Sequence, residues 1–426
     1  MATSRRRIWL LTVGEPLPMG AVRERPLRVG LLADTLVERG HDVLWWTSTF
    51  DHSHKRQAVA GEQRVQVREG YALELLHAMS YPSNLSLRRF VSHIQVARGF
   101  TRKSASLQPP DVMLCSLPTI ELAAAGVAFA RRARVPVIVD VRDLWPDAIY
   151  DLAPRPGRPL ARLLLEPWYS AARHALAGAD ALTAVSQAYL DWGLRRAGRA
   201  AGPRDRIFPL GYPRHSALAD ARSAAGRALA ERGVDASKRL AWFVGMLGRT
   251  YDLSCVIAAA RRLAAAGALD VQFVLSGTGD QETKWRAEAA GLPNVVFTGW
   301  VNSAEIAWLL DAAWVGLAAY ARGAPQVLPN KPFEYMSGGL PVLSSLGGET
   351  QDMLSRCGCG LTYPAGDAGA LAEAILSLRS DPDRHRALGA AGRAAYEREF
   401  AADVVYARMA EWVAAGAPPA VTAHDS

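Results

Sequence analysis

The residues best placed to do chemistry stand in one run, Pro329-Asn-Lys-Pro-Phe-Glu-Tyr-Met-Ser-Gly-Gly-Leu-Pro-Val-Leu343. Lys331 and Glu334 are three apart, so a helix sets them one turn apart on one side. An ammonium at a helix N-terminus, where free amides and the positive end of the dipole favour anions, suits a phosphate. A carboxylate a turn further in suits a diol such as ribose, because it can accept from both hydroxyls. Together they suit a nucleotide diphosphate. An ordinary capped helix with an exposed lysine and glutamate would carry the same letters. The flanks predict the limits of the helix: Asn330 as its cap, Pro332 in the first turn, and Gly338-Gly339 as a left-handed stop. Pro341 then bars continuation before a buried strand at Val342.

The second half of the chain alternates strands and helices around that run. A strand over 240–244 meets the loop Gly245-Met-Leu-Gly-Arg249, whose Gly248 and Arg249 could bring amides and a cation to phosphate oxygens. Leu253, Val256, Ile257, Ala260 and Leu263 then give a helix face, closed by Gly267. A strand over 271–275 ends in Gly277-Thr-Gly279-Asp280. Another over 295–298 leads to Gly299-Trp300-Val301, where Asn302 and Glu305 form a capping box. After the helix over 367–379, Asp381 and Asp383 invite a metal reading but suit the cap of the next helix better.

The first half shows the same alternation. Strands are expected over 8–13, 42–47, 111–115, 135–139 and 181–185, with helices from Leu27, over 120–132 and over 159–177. Parallel sheets place ligands at the carboxyl ends of their strands, which puts Gly14, Arg142 and Asp143 in position. Arg142 and Asp143 could equally form a structural ion pair. Gly14 stands without the Gly-x-Gly-x-x-Gly of a dinucleotide site, which argues against nicotinamide and flavin. Residues 48–108 read as a polar loop region carrying His52, His54, Lys55, Tyr81, Asn84, Arg88 and Arg89. No acid or histidine at ligand spacing turns the two histidines into a metal site. Ile207-Phe-Pro-Leu-Gly-Tyr-Pro213 breaks all periodicity and reads as a linker. The fold class is therefore α/β, two Rossmann-like doubly wound domains with a closing helix: 1–208, 209–398 and 399–426, the tail from 417 being disordered.

The run Asn330-Lys-Pro-Phe-Glu-Tyr-Met-Ser-Gly-Gly-Leu-Pro-Val342 resembles the donor-binding signature of retaining GT-B glycosyltransferases of family 4, and Asp143-Leu-Trp-Pro146 resembles a second family segment. The resemblance covers most of the chain. It implies two facing domains with a nucleotide sugar in the cleft, an acceptor-binding first domain, and a last helix that returns to it. It makes Glu334 the ribose contact, while Gln326 stands where the family has its first glutamate. Arg142 takes the place of the family's histidine near the donor sugar. Gly14, Gly248, Arg249, Gly277, Gly279, Trp300, Val301, Asn330 and Lys331 fall at donor-binding positions. His52, His54, Lys55, Tyr81 and Asn84 are assigned to the acceptor. Arg142, Asp143 and Lys331 are the catalytic candidates. The family's Lys-Gly after the first glycine loop has no counterpart, and Lys331 would compensate.

The implied reaction passes a sugar from a nucleotide diphosphate to a hydroxyl with no metal and no other cofactor. A departing phosphate oxygen would take the acceptor's proton, so no dedicated base is needed. The role implied is cell-surface polysaccharide or glycolipid assembly, on a lipid-linked or phosphorylated acceptor. An epimerase on the same architecture, or a two-domain binding protein for anionic polymers, would share the fold but leave no acceptor glycosylated.

Composition limits the remaining classes. Of the net charge of +8, residues 1–210 carry 29 Lys+Arg against 19 Asp+Glu, and residues 211–426 carry 20 against 22. The basic first half favours an anionic partner, a phosphorylated acceptor, a negative membrane surface or nucleic acid, while general solubility charge in an Arg-rich chain would account for it equally well. The partners expected are the acceptor and an anionic membrane, not nucleic acid. Four cysteines give no disulfide framework, and the apolar run over 8–13 is short for a signal peptide. The expected location is cytoplasmic, with peripheral contact at the inner face of the membrane.

Overall fold

The computed structural model describes residues 4–19, 25–83, 86–215 and 217–416. The chain divides into two compact units, one running to Pro209 and taking up the chain again from Val405, the other Leu210–Val404. Both are mixed α/β with parallel sheets, the fold class read from the alternation of strands and helices.

In the first unit an eight-stranded sheet is centred on Arg7–Leu11, which pairs in parallel with Asp42–Ser48 on one side and Val112–Leu117 on the other. Val137–Val141 and Ala181–Ala184 extend it in parallel. Trp9, Trp46, Phe100 and Phe129 pack one face, Trp9 stacking on Phe129 at 5.3 Å and Trp46 meeting Phe100 edge-on at 4.9 Å. The helix Arg28–Glu38 begins at Leu27, which has no side chain able to cap it. Glu15 does so from the preceding loop, its carboxylate accepting from Val29 N at 2.9 Å and Gly30 N at 3.3 Å.

Residues 48–108 are more ordered than the sequence predicts. Gln63–Arg68 and Tyr71–Leu76 form an antiparallel pair at the sheet edge, Phe50–Asp51 pairs with Arg56–Gln57, and Leu87–Ser104 is a helix. The outer strand reads as a loop because its Gln and Arg side chains face water. The helix is obscured because its inward face includes Ser92, His93 and Gly99 beside Val96 and Phe100.

The second unit is a six-stranded parallel sheet built around Arg239–Val244, flanked by Val271–Ser276 and Ala313–Ala318. Period-two alternation sorts its central strand between two cores. Leu240, Trp242 and Val244 pack on one face, while Ala241 and Phe243 pack on the other. Val295–Gly299, Val342–Ser344 and Gly360–Thr362 complete the sheet.

At Asp381 the sequence reading of a cap is the geometry observed: its carboxylate accepts from Arg384 N at 2.9 Å, at the start of the helix Pro382–Ala395. The capping box of Asn302 and Glu305 is present as well. The last helix, Ala402–Ala415, lies from Val405 onward in the first unit, where Glu411 pairs with Arg39 at 2.7 Å and Trp412 packs on Phe208 at 5.4 Å. Among the described residues no helix is long and apolar enough to cross a membrane. The tail from 417 falls outside the described residues.

Candidate functional site

In the second unit the helix Asn330–Gly338 is short and deeply set. Its buried residues run from Lys331 to Ser337, and Gly339 ends it at φ 71°. One change to the expected capping is needed: Pro329 occupies the cap position without a side-chain bond, and Asn330 is the first helical residue, exposed to solvent. Tyr335 locks the helix to the sheet, donating to Leu317 O at 3.0 Å and accepting from Val244 N at 3.3 Å. The sheet admits that ring only because residue 316 is glycine, where a β-carbon would overlap it.

The two chemically active side chains of this helix are thereby held in place. Lys331 is buried and donates from Nζ to the carbonyl of Val244, its ammonium 4.5 Å and 4.6 Å from the ring centres of Phe243 and Tyr251. Burial pushes its pKa down from 10.5 to about 8, with Glu334 acting in the opposite sense. Glu334 is buried too, and its Oε1 accepts from Tyr212 Oη at 2.5 Å. That hydroxyl also lies 2.8 Å from His215 Nε2.

Three glycine turns lie side by side where adjacent strands end. Gly245 N donates to Ser276 O at 3.0 Å, Leu247 N to Thr278 O at 2.8 Å, and Gly277 N to Gly299 O at 2.8 Å. Gly277 has φ +133°, and a β-carbon there would overlap the carbonyl oxygen of Gly245. One at Gly279 would overlap the backbone of Leu247, and one at Gly245 would overlap Lys331 Nζ. The glycines thus let two loops touch along their backbones and bring the lysine to the mouth of the first.

The other donor candidates are less closely gathered. Arg249 is 86% exposed and lies 3.6 Å from Asp280, the residue after Gly279. Trp300 is exposed and Val301 is buried. Gln326 holds its Oε1 buried with no partner among the described residues, an acceptor still lacking a donor.

In the first unit a cavity of about 160 Å³ lies at the carboxyl ends of the strands. It joins Gly14, His52, Tyr81, Arg89 and Arg142, all singled out in the sequence, to Glu15 and His93. Arg142 pairs with Glu15 at 2.5 Å rather than with its neighbour Asp143. Asp143 accepts from Leu144 N at 2.8 Å, and burial pushes its pKa up, offset by Arg89 and Arg142. His52 Nδ1 lies 2.7 Å from Tyr81 Oη and 3.4 Å from Lys55 Nζ. Burial, Lys55 and Arg89 lower the His52 pKa to about 4, so the ring is neutral at pH 7. With Nδ1 accepting, its proton sits on Nε2. Lys55 touches the cavity wall through His52 without lining it, and His54 turns to Asp51 at 2.8 Å. Asn84 falls outside the described residues.

Sequence reasoning missed the support beneath this cavity. Arg28 and Asp140, both buried, form a two-pronged ion pair at 2.8 Å and 3.0 Å, and Arg28 also donates to Phe208 O at 2.8 Å. The pair ties the first helix to the strand Val137–Val141, which runs directly into Arg142. An aspartate inside an otherwise apolar strand, Val-Ile-Val-Asp-Val141, was the available signal, since such an acid requires a partner.

Residues 27–213 match the glycosyl transferase 4-like domain, and residues 238–381 match the family described as glycosyl transferases group 1. A GDP-mannose-dependent monoacylated alpha-(1-6)-phosphatidylinositol monomannoside mannosyltransferase of Corynebacterium glutamicum is 28% identical over 145 residues, 33% of this chain and 38% of that protein. An alpha-maltose-1-phosphate synthase of Mycolicibacterium smegmatis is 32% identical over 187 residues, 40% of this chain and 46% of that protein. The chain thus spans less than half the length of either relative. The solved structure of sucrose-phosphate synthase from Thermosynechococcus elongatus shares the fold, with a TM-score of 0.70 at 21% identity over 96% of this chain and 98% of that one.

Proposed function

The chain carries the two glycosyltransferase domains of a GT-B fold, and from that premise we propose that it transfers a sugar from a nucleotide-diphosphate donor to a hydroxyl acceptor, retaining the anomeric configuration. The observation that carries this reading is the buried pair Lys331 and Glu334, one turn apart on a helix whose lysine meets the Gly245 turn. Lys331 and the helix amides hold the diphosphate, with Arg249 as an outer cation, and Glu334 takes the ribose hydroxyls. Gln326 Oε1 accepts from a sugar hydroxyl. The backbone around Trp300 and Val301 faces the base. The GDP-mannose dependence in the name of the Corynebacterium relative supports a nucleotide-sugar donor.

In the reaction the anomeric carbon parts from the diphosphate oxygen as the acceptor oxygen approaches the same face. A departing phosphate oxygen takes the acceptor's proton. The charge that builds on the diphosphate is met by Lys331, which is the ground for proposing a reaction without a metal. The cavity lined by His52, Tyr81, Arg89 and Arg142 receives the acceptor. The phosphatidylinositol mannoside acceptor named for the Corynebacterium relative supports a glycolipid product, and a polysaccharide is the other product proposed.

Incubating the protein with UDP-, GDP- and ADP-sugars and following release of nucleoside diphosphate tests the reading. Release from one of them, persisting with a chelator and accelerated by an acceptor whose new linkage keeps the donor's anomeric configuration by NMR, is expected. Release with inversion, or epimerisation without transfer, would overturn it.

A further inference from the structure

The first unit presents apolar side chains to water on two touching helices. Leu160, Leu163 and Leu164 stand on the first two turns of Arg158–Ala177, 61%, 71% and 62% exposed, at the i, i+3, i+4 spacing of one helix face. The core face of that helix is a different one, formed by Leu165, Tyr169, Ala172 and Leu176. Leu87 and Val91, 83% and 44% exposed, lie at the start of Leu87–Ser104. The helices meet where Phe90 packs edge-on against Trp168 at 4.7 Å, one turn beyond Leu164. Single exposed leucines are ordinary on a protein surface, whereas five large apolar residues on two adjoining helices mark an interaction site.

Charge identifies the occupant. Residues 86–104 contain Arg88, Arg89, Arg98, Arg102 and Lys103 and no carboxylate, Arg102 and Lys103 pairing with Glu62 and Glu74. Residues 151–166 carry Arg155, Arg158 and Arg162 against Asp151 and Glu166, and Glu166 pairs with Arg162 and Arg173, which leaves Arg88, Arg155 and Arg158 as the cations beside the leucines. Exposed leucines set among arginines suit an interface whose interior is apolar and whose rim is anionic. A second copy of the chain joined through the same face would set arginine against arginine. We propose that this face docks on an anionic lipid bilayer, with the leucines at the acyl boundary and Arg88, Arg155 and Arg158 on lipid phosphates. The claim stands apart from any transfer activity. One corollary rests on the transferase reading: Arg89 and His93, on the same helix as Leu87, line the cavity given to the acceptor, so a docked bilayer would bring a lipid-linked acceptor to it.

The test is flotation of the full chain with vesicles rich in phosphatidylglycerol or made of phosphatidylcholine alone, with no donor present. The wild type is expected to float with the anionic vesicles at low salt, and at least about tenfold less with the neutral ones. The triple variant Leu160→Ser, Leu163→Ser, Leu164→Ser should bind anionic vesicles at least about tenfold more weakly, at an unchanged melting temperature. Arg155→Glu with Arg158→Glu should lose the salt-sensitive part of the binding. A wild type that stays with the lipid-free fraction, or a folded leucine variant that floats like the wild type, would overturn the proposal. So would a lipid-free dimer, seen by sedimentation velocity, that the leucine variant abolishes.

Discussion

Tyr212 donates its hydroxyl to Glu334 at 2.5 Å, so the acid proposed to receive ribose is oriented by the first residues of its own unit. Tyr212 is itself fixed, its amide donating to Phe400 O at 2.9 Å and its carbonyl accepting from Tyr396 Oη at 2.7 Å. The carboxylate therefore faces a ligand without having to be ordered by it, which lowers the entropic cost of binding.

Replacing Glu334 by alanine should weaken nucleoside-diphosphate binding by about 1–3 kcal/mol, the range for unmade charge-assisted hydrogen bonds. Titration calorimetry with ribo- and deoxyribonucleotides sharpens this. The wild type should prefer the ribonucleotide, and Glu334→Ala should bind both alike. Tyr212→Phe should keep the preference, because it removes an orienting bond and leaves the acid.

Lys331 makes the pH dependence specific. In the free protein its pKa is about 8 against an ordinary 10.5, so the unfolded chain holds this proton more tightly. Stability should rise as pH climbs from about 8 towards 10.5, because the unfolded state binds more protons in that window. Diphosphate affinity should move the opposite way, falling as the pH passes about 8 and the ammonium is lost. Lys331→Met should bind diphosphate weakly at every pH and show neither trend. Calorimetry and thermal melts across that range measure both.

Gly277→Ala should destabilise the second unit by about 1–3 kcal/mol, the order of a strained backbone conformation. The new β-carbon would overlap the carbonyl of Gly245 at a φ that side chains rarely adopt. Gly61→Ala, where a β-carbon meets open space, is the control and should melt like the wild type.

Beneath the first-unit cavity, Arg28→Met should cost about 3–5 kcal/mol, because it leaves Asp140 charged, buried and alone. Arg28→Met combined with Asp140→Leu should recover much of that loss, since an apolar pair removes the stranded charge. Chemical denaturation of the three variants provides the comparison.

The alternation of apolar runs and glycine turns made most parallel strands of both sheets legible, though not Tyr71–Leu76 or Ala313–Ala318, and the Lys331–Glu334 spacing marked a helix in which both residues are buried. What stayed hidden depends on distance along the chain. Glu15 caps a helix that starts thirteen residues later and also pairs with Arg142, and no local pattern announces either bond. The helix Leu87–Ser104 escaped because it buries His93 and Ser92 where a helical pattern calls for apolar residues. Arg249, named from its place beside the first glycine loop, extends its side chain into solvent near Asp280, a direction that sequence proximity does not fix.

The most direct measurement is a crystal structure of the protein with the nucleoside diphosphate it binds most tightly. Diphosphate oxygens against Lys331 Nζ and ribose hydroxyls on the Glu334 carboxylate are expected. A nucleotide bound elsewhere, with Lys331 Nζ still on the Val244 carbonyl and Glu334 still on Tyr212, would contradict the proposed function.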